Sequence, residues 1–297
     1  MRRPSKSLFA AGLMLFVGTL ASAQDRAQIV AVNYPLQFLA EQLVGDAADV
    51  TFPVPQDVDP SFWRPSISDI SAVQAADLIL LNGAGFATWV DRVTLPRSKL
   101  VNTSAAIEDQ LIVTESITHS HGDGDTHSHE GLASYVWLDP GLAIAQAQAI
   151  AAALTARGLA PEDEVTARLA TLTTELESLD AAAQSALQEL SGATLIATHP
   201  RYHYFARRYG MSVLSMEWEA GAMPDDGQLA ELEALAAQSD ATVLIWEAQP
   251  PDAALDATRA LGLRNVVFPP LAHAVEGQTF LQGFAQALSD MADVAGQ

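Results

Sequence analysis

The chain has 297 residues, about twice a typical domain length, so two domains or one large domain with a sizeable core are expected. It contains 36 Asp and Glu against 15 Lys and Arg, a formal charge of −21, together with 49% hydrophobic residues. This composition excludes a mainly disordered chain and predicts a compact acidic protein. It argues against nucleic acid as a partner, because binding nucleic acid requires a cationic face, whereas cations are attracted to such a surface.

The first 23 residues have the pattern of a secretory signal peptide. Arg2, Arg3 and Lys6 precede an apolar stretch from Leu8 to Leu20, and an A-x-A site ends at Ala23. The apolar stretch is too short to span a bilayer. The chain has no cysteine and therefore no disulfide and no thiol for lipidation. We expect an exported protein of the periplasm, cleaved after Ala23, that acts as a monomer.

Strand and helix patterns alternate at both ends of the chain. After the signal, the pattern predicts a strand over 29–32, a helix over 35–44 and a strand over 50–54. An amphipathic helix, a strand over 78–81 and, after an Asn82-Gly83 break, another helix follow. Beyond residue 190, four strand patterns again alternate with helices, the last beginning near Thr279. This alternation predicts parallel sheets covered by helices.

The segment between the two α/β patterns is rich in Ala, Leu, Glu and Gln, which favour helix. A Gly158 to Pro161 break divides it, and its second part, 161–190, predicts a helix of about 45 Å. The expected fold class is α/β, with two similar lobes, one long rigid helix joining them and a ligand cleft between them. The expected parts are a signal peptide at 1–23, an N-terminal lobe at 24–140 with a His-rich loop at 118–130, a helical connection at 141–190 and a C-terminal lobe at 191–297.

Four of the seven histidines lie in the segment THSHGDGDTHSHEG. His119, His121, His127 and His129 alternate there with Gly and Asp, without apolar periodicity, so a surface loop is expected. Imidazole is a good ligand for divalent zinc, and such a loop binds metal without a preformed site. We predict metal capture by these four histidines, with an inert solvated loop as the alternative.

Three further candidate metal ligands follow predicted strands of the second lobe. His199 follows TLIAT, Glu247 follows TVLIW, and His273 follows NVVF by a short FPPLA segment. The carboxyl ends of parallel strands share one edge of a sheet, where α/β proteins place ligands. Two imidazoles and a carboxylate there would suit zinc. His203 is as consistent with packing as with ligation.

Several segments are similar to those of a known family. The stretches NYPLQFLAEQLVGD, DISAVQAADLILLNGAGFATWVD, YVWLDP and HPRYHYFARRYG, with the long central helix and the His-rich insert, resemble the ZnuA/TroA-like solute-binding proteins of zinc and manganese ABC uptake systems. The resemblance covers nearly all of the chain after the signal. It implies two lobes, a metal cleft between them and a membrane permease as partner.

The resemblance also implies four ligand positions, and this chain departs from most of them. They fall on Ser61, Tyr135, His199 and Pro269, of which only His199 is a typical ligand. Tyr135 is a poor zinc ligand, although a phenolate suits ferric iron. One hypothesis is a relocated site of His199 and His273 with Glu247 or a loop histidine such as His129. The other is a cleft without a free ion, with the loop as the metal site.

These observations lead to a functional expectation. The chain is expected to capture a divalent cation, zinc before manganese or iron, and to present it to an ABC permease in the inner membrane. The alternative is a periplasmic zinc buffer, metal chaperone or sensor acting mainly through its loop, and a periplasmic metal chaperone is also a candidate partner. The sequence has no HExxH motif, no GxSxG elbow and no phosphate-binding glycine loop, so no enzymatic activity is expected.

Overall fold

The N-terminal half of the chain forms a four-stranded parallel sheet. A computed structural model describes residues 26–114 and 131–295. The sheet has the strand order β2-β1-β3-β4 and carries its helices in the connections. Its elements are β1 (Ala27–Ala31), α1 (Tyr34–Val44), β2 (Ala48–Thr51), α2 (Ile67–Ala75), β3 (Leu78–Leu81) and β4 (Leu100–Asn102). A short antiparallel pair, β5 (Val113–Thr114) and β6 (Gly131–Leu132), follows.

Two helices join this lobe to the next. Asp139 caps the first of them, α3 (Pro140–Ala156), because its Oδ1 accepts a hydrogen bond from the Gly141 amide at 2.9 Å, and Pro140 suits the first turn. The chain reverses at Gly158, which has φ +64°. The second helix, α4 (Glu162–Ala186), has 25 residues and a length of about 37 Å at 1.5 Å per residue. It packs against α3 and α1.

The C-terminal half repeats the parallel arrangement. Its sheet has the order β10-β9-β7-β8. Its elements are β7 (Thr194–Ala197), α5 (His203–Arg208), β8 (Ser212–Ser215), α6 (Asp226–Ser239), β9 (Val243–Trp246), α7 (Asp252–Ala260), β10 (Arg264–Val267) and α8 (Phe280–Ala295). The expected α/β class with two similar lobes of parallel strands is confirmed.

The two lobes share one hydrophobic core. A continuous cluster of buried side chains runs from β1 and α1 through α3 and α4 to α5 and α8. Phe38 of α1, for example, packs on Phe280 of α8 with ring centroids 5.6 Å apart. A second cluster, which includes Trp218 and Trp246, covers the other face of the C-terminal sheet. Separating the lobes would expose the shared core, so the fold favours a fixed cleft.

Some expected elements differ from those observed. The second strand ends at Thr51 and not at Val54, because Pro53 and Pro55 have no amide hydrogen for a ladder. The helix expected after Asn82-Gly83 is wrong: Gly83, Ala84 and Gly85 have positive φ, and only a short 3₁₀ segment, Thr88–Arg92, follows.

Two further differences concern the centre of the chain. The long helix α4 ends at Ala186, short of the expected Leu190, and a 3₁₀ turn, Gln188–Leu190, follows it. Strand β4 was not expected from the sequence.

Within residues 26–114 and 131–295, no helix combines the length and the apolar character that crossing a bilayer requires.

Candidate functional site

A cleft of about 630 Å³ opens between the lobes. Its C-terminal wall is formed where all four strands of that sheet end: His199 follows β7, Trp218 follows β8, Glu247 follows β9 and Pro269 follows β10. The opposite wall is the segment 56–62 between β2 and α2, together with Tyr135. The three candidate ligands that follow predicted strands, His199, Glu247 and His273, all line this cleft.

His199 is oriented by a backbone hydrogen bond. Its Nδ1 lies 3.0 Å from the carbonyl oxygen of Trp218, to which it donates in the Nδ1–H tautomer. That tautomer leaves a lone pair on Nε2. A metal-binding histidine usually donates a hydrogen bond from its other ring nitrogen to a carbonyl or carboxylate oxygen in this way. His199 is thus the imidazole of the cleft that is best prepared to bind a cation.

His273 is fixed by contacts with the other lobe. Its Nε2 lies 2.7 Å from the carbonyl oxygen of Val58, and its ring packs on Phe52 with centroids 5.1 Å apart. The neighbouring turn is held in the same way, because Nε1 of Trp137 donates to the carbonyl of Pro270 at 2.8 Å. With Nε2 used as a donor, only Nδ1 of His273 has a lone pair for a metal.

Glu247 faces a positively charged side chain of the same protein, that of Arg201. Its Oε1 lies 3.5 Å from Nε of Arg201, a residue that is only 7% exposed. Nη2 of Arg201 lies 2.6 Å from Oδ2 of Asp59 on the opposite lobe. The other oxygen of Asp59 accepts hydrogen bonds from the amide and hydroxyl of Ser61, at 2.8 and 2.6 Å. Asp59 is therefore engaged by hydrogen bonds, whereas Glu247 meets the guanidinium as an ion pair without a hydrogen bond from Nε.

Tyr135 is buried at the base of the cleft. It packs on Phe86 and Trp137, and Cζ of Arg201 lies 4.6 Å from its ring centroid. Burial is the main reason that its pKa is raised well above the ordinary value of 10.0, and the negative charges of Asp59 and Glu247 add to the effect despite the opposing effect of Arg201. The phenol of the metal-free protein is therefore protonated, and coordination to iron or zinc would require the loss of that proton.

The four positions implied by the resemblance do not form a conventional metal site. Ser61 is buried and bonded to Asp59, Tyr135 is a neutral phenol, and Pro269 has no ligand atom in its side chain. Within 26–114 and 131–295, no three or more His, Asp or Glu side chains are grouped as a metal ion requires. The relocated set of His199, His273 and Glu247 lines one cleft but is not assembled around one point.

Among the described residues, His203 is the histidine that does not line the cleft. His203 begins α5, and its Nδ1 is buried with no hydrogen-bond partner among the described residues. Burial lowers its pKa from the ordinary value of 6.5. The predicted metal ligands His119, His121, His127 and His129 lie outside the described residues.

Sequence reasoning missed the central residue of the cleft. Arg201 lies two positions after His199 and Asp59 two before Ser61, so both lie inside segments that carry implied ligand positions. The available signal was a basic residue four positions after a strand end in a chain with few basic residues. An arginine is not a metal ligand, so a metal-ligand pattern does not point to it.

Comparisons with known proteins identify the family. The family model of ZnuA, the periplasmic component A of a zinc-uptake complex, matches residues 29–294. The chain belongs to the ZnuA family. The family is one of solute-binding transport components, so the expectation that the chain is not an enzyme is confirmed by its membership.

The relatives have low sequence identity to this chain, but the similarity covers most of its length. The zinc-binding lipoprotein AdcA of Streptococcus pneumoniae is 26% identical over 265 residues, which is 86% of this chain and 52% of AdcA. The high-affinity zinc uptake system protein ZnuA of Bacillus subtilis is 27% identical over 238 residues, 77% of this chain and 73% of that protein. The chain thus spans about half the length of the AdcA relative.

A solved structure has the same fold. The crystal structure of Zn(II)-bound AdcA from S. pneumoniae superposes with a TM-score of 0.75 at 21% identity, covering 92% of this chain and 58% of that one. At this identity the likeness shows the fold alone. The names of both relatives, AdcA and ZnuA, and of the solved AdcA structure refer to zinc, the metal expected from the histidines.

Proposed function

We propose that this chain is the periplasmic solute-binding component of a metal ABC uptake system. It captures zinc in the cleft between its lobes and presents it to a permease in the inner membrane. The observation that carries the proposal is His199, whose Nδ1 is bonded to the Trp218 carbonyl and whose Nε2 is available in a cleft rich in carboxylates. Membership of the ZnuA family supports it.

The charge of the cleft supports a cationic solute. Four acidic residues, Asp57, Asp59, Glu219 and Glu247, line it with a single arginine. Such an excess of negative charge raises the local concentration of cations. Zinc is the first candidate because imidazole is its preferred nitrogen ligand, and manganese and iron follow. His273, through Nδ1, is the proposed second ligand.

The setting of this function is part of the proposal. A signal peptide at 1–23, cleaved after Ala23, directs the chain to the periplasm, where it acts as a monomer. The permease is its membrane partner, and a periplasmic metal chaperone is a further candidate partner. A permease and an ATPase encoded beside this chain would support delivery, whereas an isolated gene would favour a buffer.

The proposal is tested by calorimetric titration of residues 24–297 with zinc. A variant carrying His119→Asn, His121→Asn, His127→Asn and His129→Asn, called here the loop variant, removes the His-rich loop's imidazoles without changing chain length. We expect one site to persist in the loop variant and to be lost on adding His199→Ala. The matched control is His203→Ala, a histidine four residues away that does not line the cleft.

A second candidate function is a zinc buffer or metal chaperone that binds mainly through the His-rich loop. The observation that favours it is Arg201, which already pairs with Asp59 and Glu247 in the cleft. This function predicts several weaker sites in the native chain, all of them lost in the loop variant. Loss of all zinc binding in the loop variant would therefore overturn the proposal of capture in the cleft and support the proposal of a zinc buffer.

A further inference from the structure

The guanidinium of Arg201 lies at the centre of the cleft. It is 93% buried, although a charged side chain is rarely buried without close partners. Its partners come from both lobes: Asp59 at 2.6 Å and the ring of Tyr135 at 4.6 Å on one side, and Glu247 at 3.5 Å on the other. A positive charge is thus held between two carboxylates and an aromatic face at the junction of the lobes.

The backbone directs Arg201 to this place. The amide of Arg201 donates to the carbonyl of His199 at 2.8 Å, which forms a tight turn directly after β7. Glu247 is held in register with this turn, because its amide donates to Oγ1 of the buried Thr198 at 3.3 Å. Arg201 and His199 therefore project from the same turn into the same cleft.

We propose that Arg201 is a specificity-determining residue of the cleft: its guanidinium takes the place of a divalent cation between Asp59 and Glu247, and zinc enters only in competition with it. This inference rests on the proposed function in taking zinc as the solute. Arg201 then has a role opposite to that of a ligand, because it weakens zinc binding in the cleft and makes that binding selective.

The competition has two physical sources. The carboxylates that could complete a metal site beside His199 already neutralise the guanidinium, and a divalent cation near it is repelled by its charge. The arginine cannot yield by losing its proton, because a guanidinium stays charged in proteins. Zinc binding therefore requires the guanidinium to move and the ion pair between the lobes to break.

The test compares Arg201→Met and Arg201→Lys in the loop variant, so that only cleft binding is measured. Methionine keeps much of the volume and removes the charge, whereas lysine keeps the charge. We expect zinc to bind at least tenfold more tightly to the Met variant than to its parent, and within about threefold of the parent in the Lys variant. The measurement is calorimetric titration with zinc alone.

Thermal unfolding provides a second measurement that detects a folding defect. Without zinc, Arg201→Met leaves two carboxylates without a counter-charge and should lower Tm. Zinc binds only the folded form and should raise Tm more in the Met variant than in the parent. Addition of Asp59→Asn to the Met variant should remove most of that gain, because the carboxylate itself binds the ion.

The outcomes separate this inference from the proposed function. Zinc binding by the parent with tighter binding by Arg201→Met supports both. Binding by the Met variant but not by the parent supports the inference and overturns cleft capture by the native chain. Binding by the parent that is equal or weaker in the Met variant overturns the inference and leaves the function standing. No cleft binding by either protein overturns both.

Discussion

Nη2 of Arg201 lies 2.6 Å from Oδ2 of Asp59, a residue 142 positions earlier in the chain, and the pair joins the two lobes across the cleft. The shared core already fixes the relation of the lobes, so this contact is not needed to hold them together. Its position in the cleft makes it both a structural ion pair and a determinant of what the cleft accepts.

Loss of the Asp59 carboxylate should destabilise the protein. Arg201 is 7% and Asp59 31% exposed, so the pair lies between the surface and the fully buried cases. We expect Asp59→Asn to lower the free energy of unfolding by about 2 kcal/mol, since a largely buried guanidinium loses its nearest counter-charge. Urea unfolding measures the change. Asp57→Asn, an exposed acid of the same cleft, is the control and should change stability by less than about 0.5 kcal/mol.

Tyr135 should not act as an anionic ligand. Its pKa is raised above the ordinary 10.0, chiefly by burial, so the metal-free protein has a neutral phenol, and iron would have to displace a firmly held proton to bind it. We expect addition of ferric iron to produce no phenolate-to-iron absorption in the visible range. A visible band that disappears in Tyr135→Phe would contradict this and make Tyr135 a ligand.

Protonation at His203 should make the protein less stable in mild acid. Its pKa in the fold is depressed below the ordinary 6.5 by burial, so the unfolded chain binds the proton more readily. The stability that its neutral ring contributes is fully present above pH 6.5 and is lost as the pH falls from there towards the folded-state pKa.

Chemical unfolding at several pH values tests this dependence. We expect His203→Leu to flatten the decline in stability below pH 6.5. At pH 8 both proteins have an uncharged side chain at this position, so the difference there measures packing alone. An equally steep decline in the variant would assign the acid sensitivity to other groups.

A buried acid holds α4 to α5. Asp180 of α4 accepts from the Nε of Arg208 at 2.9 Å and from the hydroxyl of Tyr209 at 3.2 Å. Hydrogen bonds that involve charged groups contribute about 1.5 to 3 kcal/mol. We expect Asp180→Ala to lower the free energy of unfolding by about 2 to 3 kcal/mol, which guanidinium unfolding measures.

The control for Asp180 is an exposed ion pair of similar geometry. Asp256 pairs with Arg259 at 2.9 Å, but their side chains are 75% and 58% exposed. Asp256→Ala should change stability by less than about 1 kcal/mol. Equal effects of the two substitutions would show that burial does not distinguish these pairs.

Local patterning accounts for most of the fold prediction. The alternation of apolar strands with amphipathic helices placed all four strands of the C-terminal sheet, and the Gly158 break separated α3 from α4. The failures occurred where backbone conformation overrides hydrophobic pattern. After Asn82, three consecutive residues with positive φ prevent the helix that the apolar residues suggest. At the end of β2, two prolines stop a strand whose apolar pattern continues.

The α/β class, the family segments and the positions of His199, Glu247 and His273 after predicted strands could be inferred from the sequence. Strand ends follow from local hydrophobic periodicity, and parallel strands bring their ends to one edge. The use of those side chains depends on contacts between the lobes. Arg201 meets Asp59 and Tyr135, and His273 bonds to Val58, across the junction of lobes distant in the chain. Such contacts depend on the packing of one lobe against the other, which no local pattern of residues specifies.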